Sequence, residues 1–202
     1  MYSQNREQEI ILNYFKDIEV GHVVDIGSND GKTFSNSLAL IESGWMGTLV
    51  EPHPVAYDLL TKQHAGNSFV NCVRAAICEH NETVTLNINT PHIEGDTGLL
   101  STLVSSETDK WKSVVQYDTV QVEGYTFNRF QEIWKVDKFD FVTIDAEGMD
   151  YAILSQINLT ECGCKMVCVE YNSIDIDKYI DYCSKFGMTV KHVNPENLIM
   201  AL

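Results

Sequence analysis

The sequence predicts an α/β domain built on a mostly parallel sheet and finished by an antiparallel C-terminal hairpin. Three observations carry this. Short apolar runs alternate with helical periodicity over residues 22–74 and again over 127–186, the pattern of strands joined by crossover helices. The last two apolar segments, 188–193 and 197–202, are joined by Asn194-Pro195-Glu196, too short for a crossover helix, so they must pair antiparallel. The length of 202 residues, 44% of them hydrophobic, fits one folded domain over 1–202.

Each element follows from local pattern. Ile10, Ile11, Tyr14, Phe15 and Ile18 form one stripe, which predicts an amphipathic helix within residues 1–20. His22-Val-Val-Asp-Ile26 is a short apolar run that enters the turn Gly27-Ser-Asn-Asp-Gly31. A helical stretch through Phe34, Leu38 and Ile41 stops near Gly44. Residues 47–51 read as a strand, 55–64 as a helix and 69–74 as a third strand. Residues 83–88 alternate like an edge strand, and 114–122 do so more loosely. Between them the polar stretch 92–112 reads as a long loop or broken helix, and loops of that length commonly serve as lids. Phe127, Phe130, Ile133 and Trp134 predict a helix, and 139–144 a strand ending at Asp145. Residues 151–157 read as a helix, 166–171 as a strand, and 174–186 as a helix closed by Gly187.

Charge and composition exclude several functions. The chain has 14 Lys plus Arg against 29 Asp plus Glu, a formal net charge of −15. Such a surface repels phosphate backbones and anionic membranes. No uncharged apolar run nears the roughly 18 residues of a membrane helix, and the polar start MYSQNREQEI lacks a signal-peptide core. The expectation is a cytoplasmic protein with no nucleic-acid or membrane partner; its oligomeric state is not legible. Cys72, Cys78, Cys162, Cys164, Cys168 and Cys183 are expected as free thiols. The Cys162-Gly-Cys164 pair with Cys168 lacks a fourth ligand at the customary zinc spacing.

In open α/β sheets ligands sit beyond the carboxyl ends of the strands. Three of those ends are polar here. The first is Asp25-Ile-Gly27-Ser28-Asn29-Asp-Gly31, whose glycines allow a tight turn and close approach to the backbone. Its Gly-x-x-x-Gly spacing and its acids disfavour a pyrophosphate, and with it a nicotinamide-dependent oxidoreductase. They suit a ligand with a cationic or ribosyl face. The second is Glu51-Pro52-His53-Pro54, about twenty residues on, where an acid commonly accepts ribose hydroxyls. The third is Asp145-Ala-Glu147-Gly148-Met-Asp150. Asp145 points into the crevice, whereas Glu147 and Asp150 also suit the N-terminus of the next helix.

These motifs resemble the FkbM-type methyltransferases, which use S-adenosylmethionine. The resemblance covers residues 22–202: Val24-Asp-Ile-Gly-Ser-Asn-Asp-Gly31, Leu49-Val-Glu-Pro-His-Pro54 with Leu59-Leu60, Ala75-Ala76-Ile77, and Ile144-Asp-Ala-Glu-Gly-Met-Asp150. It implies a class I methyltransferase, Rossmann-like three-layer fold with seven strands in the order 3-2-1-4-5-7-6. It also implies methyl transfer to a hydroxyl of a sugar, glycan or other small-molecule acceptor. Asp25, Gly27, Ser28, Asn29, Gly31, Glu51, Pro52, His53, Ala75, Ala76 and Asp145 are the expected cofactor contacts, with Ala76 flanking the adenine. Ser28 departs from the Ala that the family turn carries. Ser101-Thr-Leu103 is similar to the family's Ser-Ser-Leu, which would lay 92–112 over the acceptor as a lid.

Methyl transfer to oxygen requires alignment and removal of the hydroxyl proton. Asp145 is the first candidate to position the acceptor, take its proton or hold a metal. Glu147 stands beside it, and His53 and His92 are alternative bases. A divalent cation held by Asp145 and Glu147 is compatible with these residues, since carboxylates and waters suit magnesium. The rival reading is a binding protein that keeps the fold without activity, although three strand-end acids serve no packing purpose.

Overall fold

The computed structural model describes residues 1–91, 93 and 96–202. In chain order the elements are α1 (Glu7–Tyr14), β1 (His22–Ile26), α2 (Leu38–Glu42), β2 (Met46–Val50), α3 (Pro54–Gln63), β3 (Val70–Val73), β4 (Ala76–Ile77) and β5 (Glu82–Asn89). They continue with α4 (Ser105–Trp111), β6 (Tyr117–Tyr125), α5 (Phe127–Trp134), β7 (Phe141–Ile144), α6 (Asp150–Leu154) and α7 (Leu159–Cys162). The last are β8 (Met166–Glu170), α8 (Ile176–Ser184), β9 (Thr189–Val193) and β10 (Asn197–Ala201).

Seven strands form the main sheet in the order β3-β2-β1-β7-β8-β10-β9. Counted within that sheet, this is the expected 3-2-1-4-5-7-6. β1, β2, β3, β7 and β8 run parallel, and β10 pairs antiparallel with both β8 and β9. The hairpin expected at the C-terminus is therefore present. Asn194 closes it by accepting the amides of Glu196 and Asn197 through Oδ1.

Strand period 2 divides the core into two layers. Val142 and Ile144 of β7, Val167 and Val169 of β8, and Leu198 and Met200 of β10 face a cluster with Phe127, Phe130, Ile153 and Cys183. Phe141, Met166, Cys168 and Ile199 face the other cluster, with Ile11, Leu40 and Leu60. Thus α1, α2 and α3 cover one face and α5, α6 and α8 the other. Strands buried on both faces read as continuous apolar runs, and such runs are found here.

Three expectations are corrected. Residues 83–88 and 114–122 do not edge the main sheet: β5 and β6 pair antiparallel over eight residue pairs and, with β4, form a second sheet in the order β4-β6-β5. Their own small core is Ala76, Leu86 and Val122, which suffices for a sheet wet on its outer face. The helix expected through Phe34 starts at Leu38, because Phe34 has φ +56° and bridges Ser3. The N-terminal helix is shorter than its stripe, Glu7–Tyr14, and buried Glu7 ties it to the hairpin by accepting from Asn194 and Asn197.

Candidate active site

A cavity of about 490 Å³ opens at the carboxyl ends of β1, β2, β7 and β8, within the roughly 300–1,000 Å³ usual for small-molecule sites. Asp25, Gly27, Ser28, Asn29, Glu51 and Pro52 line one end. Ala75 and Ala76 form its floor, and Asp145, Glu147, Met149 and Glu170 line the other end.

At the β1–β2 end every acid is held. Asp25 Oδ2 accepts the Ser37 hydroxyl at 2.5 Å. Glu51 Oε2 accepts the Asn29 amide at 2.8 Å, and Oε1 accepts the His53 amide at 2.7 Å. Burial pushes Asp25 up to about 6, against the pull of its hydroxyl partners. Burial likewise pushes Glu51 up to about 7, against its two amide donors and with Asp25 adding repulsion. Asn29 holds φ +48°, and its Oδ1 accepts the Thr97 hydroxyl.

Two residues expected at the ligand face elsewhere. Gly31 packs against α3: a Cβ there would lie 2.6 Å from Leu60 Cδ1 and 3.0 Å from His64 Nε2. His53 caps α3, its Nδ1 accepting the amides of Val55 and Ala56 at 3.1 and 3.2 Å. Burial holds the His53 ring below its usual pKa, and a ring nitrogen committed to two amides is not a free base. Gly27 does line the cavity, but the need for glycine comes from behind it. A Cβ would fall 1.7 Å from the Asp145 carbonyl oxygen, at φ +89°. His92 lies outside the described residues.

The β7–β8 end is built differently. Asp145 has no hydrogen-bond partner among the described residues, and its side chain opens onto the cavity. Although Asp145 is itself exposed to the cavity, the surrounding protein and the nearby carboxyls of Asp150, Asp25 and Glu51 push it up to about 7, desolvation by the cavity walls being the larger cause. Asp150 is buried, accepts the amides of Ala146 at 2.7 Å and Gly148 at 3.0 Å, and is raised by burial to about 6. Glu170, the last residue of β8, has an enclosed Oε2 that no donor reaches among the described residues. Burial, then Asp145, Glu147 and Asp150, raise it well above the carboxylate range, although Asn172 favours its charged form. Burial, Asp145 and Asp150 raise Glu147 in the same way, from a backbone at φ +47°.

One oxygen each of Asp145, Asp150 and Glu170 lie within 4.8 Å of one another. This group of three carboxylates brings Asp150 and Glu170 to Asp145; Glu147, the partner expected from the sequence, also lies close enough to Asp145 to be raised by its charge.

The expected lid divides in two. Asp96 Oδ1 accepts the amides of Gly98 and Leu99, Thr102 pairs with Asn87, and the Thr102 hydroxyl donates to the Glu147 carbonyl at 2.7 Å. These bonds fasten residues 96–102 to the second sheet and to the Glu147 turn. Beyond them lies α4, whose Glu107 sits against Gly148. Ile93, Leu99, Leu100, Leu103 and Trp111 give this wall an apolar face.

Sequence reasoning missed Asn36 and Glu170. Asn36 lines the cavity with an enclosed Oδ1 that has no partner among the described residues; an asparagine in a short polar turn carries no signal of this. Glu170 did carry one, being an acid that ends an apolar run as Asp145 does.

The Methyltransferase FkbM domain matches residues 25–187 of the chain. No curated protein matches. Among solved structures, precorrin-6y C5,15-methyltransferase from Geobacter metallireducens superposes with a TM-score of 0.51 at 12% identity, over 100% of this chain and 90% of that one. The METTL16 methyltransferase domain superposes with a TM-score of 0.53 at 8% identity, over 98% of this chain and 65% of that one. At such identity the likeness is one of fold.

Proposed function

Because the chain belongs to the FkbM methyltransferase domain family and is an S-adenosylmethionine-dependent methyltransferase, we propose that it methylates a hydroxyl oxygen of a sugar, glycan or other small-molecule acceptor, with Asp145 taking the hydroxyl proton. The observation that carries this reading is the Asp145 carboxyl, which is open to the cavity, without a hydrogen-bond partner and raised to about 7. A base works best with a pKa near the working pH.

The donor, when bound, supplies an electrophilic methyl group on a cationic sulfonium. The residues present fit it. Glu51 keeps lone pairs for ribose hydroxyls beyond the two amides it accepts, since a carboxylate offers about four acceptor sites. The orphaned Oδ1 of Asn36 suits an ammonium or hydroxyl donor. Ala75 and Ala76 leave room for a flat base, and Asp25 keeps the wall acidic where a cation would lie.

On the acceptor side, the apolar wall of Leu99, Leu103 and Trp111 beside a few convergent carboxyls is the lining of a small-molecule site. The acids of the crevice and a net charge of −15 disfavour a polyanionic acceptor such as nucleic acid. The test is incubation with methyl-labelled donor and a panel of glycans, small alcohols, nucleotides, RNA and peptides. The reading expects an alkali-stable methyl ether on a neutral hydroxyl acceptor. Label on RNA or on nitrogen would overturn the acceptor class. Donor binding with no transfer to any acceptor would favour an inert binding protein.

A further inference from the structure

We propose that Asp145, Asp150 and Glu170 form a binding site for a hard divalent cation, of the magnesium or calcium class, between the carboxyl ends of β7 and β8. The site extends the methyltransferase crevice but does not rest on the methyl-transfer reading, because metal binding is measured directly.

The argument begins with geometry. One carboxylate oxygen from each residue lies within 4.8 Å of the other two, the spacing of ligands that share one ion with bonds of about 2.0–2.6 Å. Three such oxygens leave positions for water, which hard cations keep readily. The site comes from rigid elements. Glu170 is the last residue of β8, Asp145 follows β7 directly, and Asp150 opens α6.

The second observation is independent of the clustering. Glu170 is only 9% exposed, lines the cavity, and its Oε2 is enclosed without any donor. An enclosed carboxylate oxygen left bare costs about 1–3 kcal/mol or more. Asn172 favours the charged form of Glu170, but no described Lys, Arg or His pairs with any of the three residues. A +2 ion would stabilise the ionised form of all three carboxyls.

Asp150 is meanwhile aimed by the amides of Ala146 and Gly148. Those donors act as outer-sphere supports do at metal sites, fixing the ligand before the ion arrives.

The probes are Mg²⁺, Ca²⁺ and Mn²⁺ alone, titrated into the full chain without donor or acceptor. Calorimetry should show one saturable site at or below about 1 mM for at least one of them, with a rise in Tm by mass action. Glu170→Gln, nearly isosteric, should weaken that affinity about tenfold or more. A wild-type readout guards against a variant that folds poorly. Mn²⁺ should broaden the NMR signals of residues 144–150 and 170–172 before all others. Absence of saturable binding of all three ions, equal affinity in a folded Glu170→Gln, or broadening centred elsewhere would each overturn the site.

Discussion

The two ends of the crevice both carry acids, but only the β7–β8 end leaves some of them without partners among the described residues. At the β1–β2 end Asp25 and Glu51 are buried; one oxygen of Asp25 is engaged by Ser37 and both oxygens of Glu51 by the amides of Asn29 and His53. At the β7–β8 end, among the described residues, Asp145 has no hydrogen-bond partner and Glu170 has an oxygen that no donor reaches. Partnered carboxylates are fixed in place and suited to holding a ligand. An enclosed and unpartnered oxygen such as Oε2 of Glu170 is costly to the fold, and that cost is commonly found where a protein moves protons or binds ions. The difference assigns recognition to one end and chemistry to the other.

The comparison breaks most visibly at Asp145. Asp145→Asn keeps shape but loses basicity, so single-turnover methylation should fall about 10²- to 10⁴-fold while donor affinity stays near wild type. Loss of donor affinity instead would move Asp145 to the recognition end. Gly27→Ala should cost at least about 2 kcal/mol of stability in chemical denaturation, since its Cβ would overlap the Asp145 carbonyl at φ +89°. That glycine joins the two ends, so a folded, fully stable variant would mean that they are not braced against one another.

Glu51→Ala sharpens the other side. It should weaken S-adenosylhomocysteine binding about tenfold or more, the scale of one charge-assisted hydrogen bond, as read by calorimetry. An unchanged dissociation constant would remove Glu51 from the cofactor site. The smallest effect is on pH. Burial raises Glu51 from 4.5 to about 7 in the folded state, so folding takes up protons in that window. Its stabilising contribution is complete below about 4.5 and is lost as pH rises through about 7. Tm should therefore decline across that range, and Glu51→Gln should flatten the decline. An equal slope in the variant would assign the titration to other groups.

Much of this was legible in the sequence, for identifiable reasons. A strand buried on both faces has to be apolar throughout, so β1, β2 and β7 stood out, and Asp25, Glu51 and Asp145 at their ends stood out by contrast, whereas Glu170 at the end of β8 was passed over. A joint as short as Asn194-Pro195-Glu196 leaves no choice but antiparallel pairing. Alternation in β5 and β6 showed that one face is wet but could not say which strand lies alongside, so the second sheet was missed. The turn at 27–31 showed which glycines were needed and not what each one faces: Gly31 answers to Leu60, and Gly27 to the Asp145 backbone. His53 looked like a base because its role as a cap depends on where α3 begins. The pairing of Asp145 with Asp150 and Glu170 joins two strands and a helix, and no local pattern reports such a meeting.

The most direct measurement is an NMR titration of the wild-type protein with S-adenosylhomocysteine. One equivalent should shift the amides of residues 27–29, 51 and 75–76 in a single saturable process, leaving residues 170–172 nearly unmoved. That outcome would place the donor at the partnered end and leave the unpartnered acids for the acceptor. Shifts centred on residues 145–150 and 170–172, or no saturable binding, would contradict the division on which this account rests.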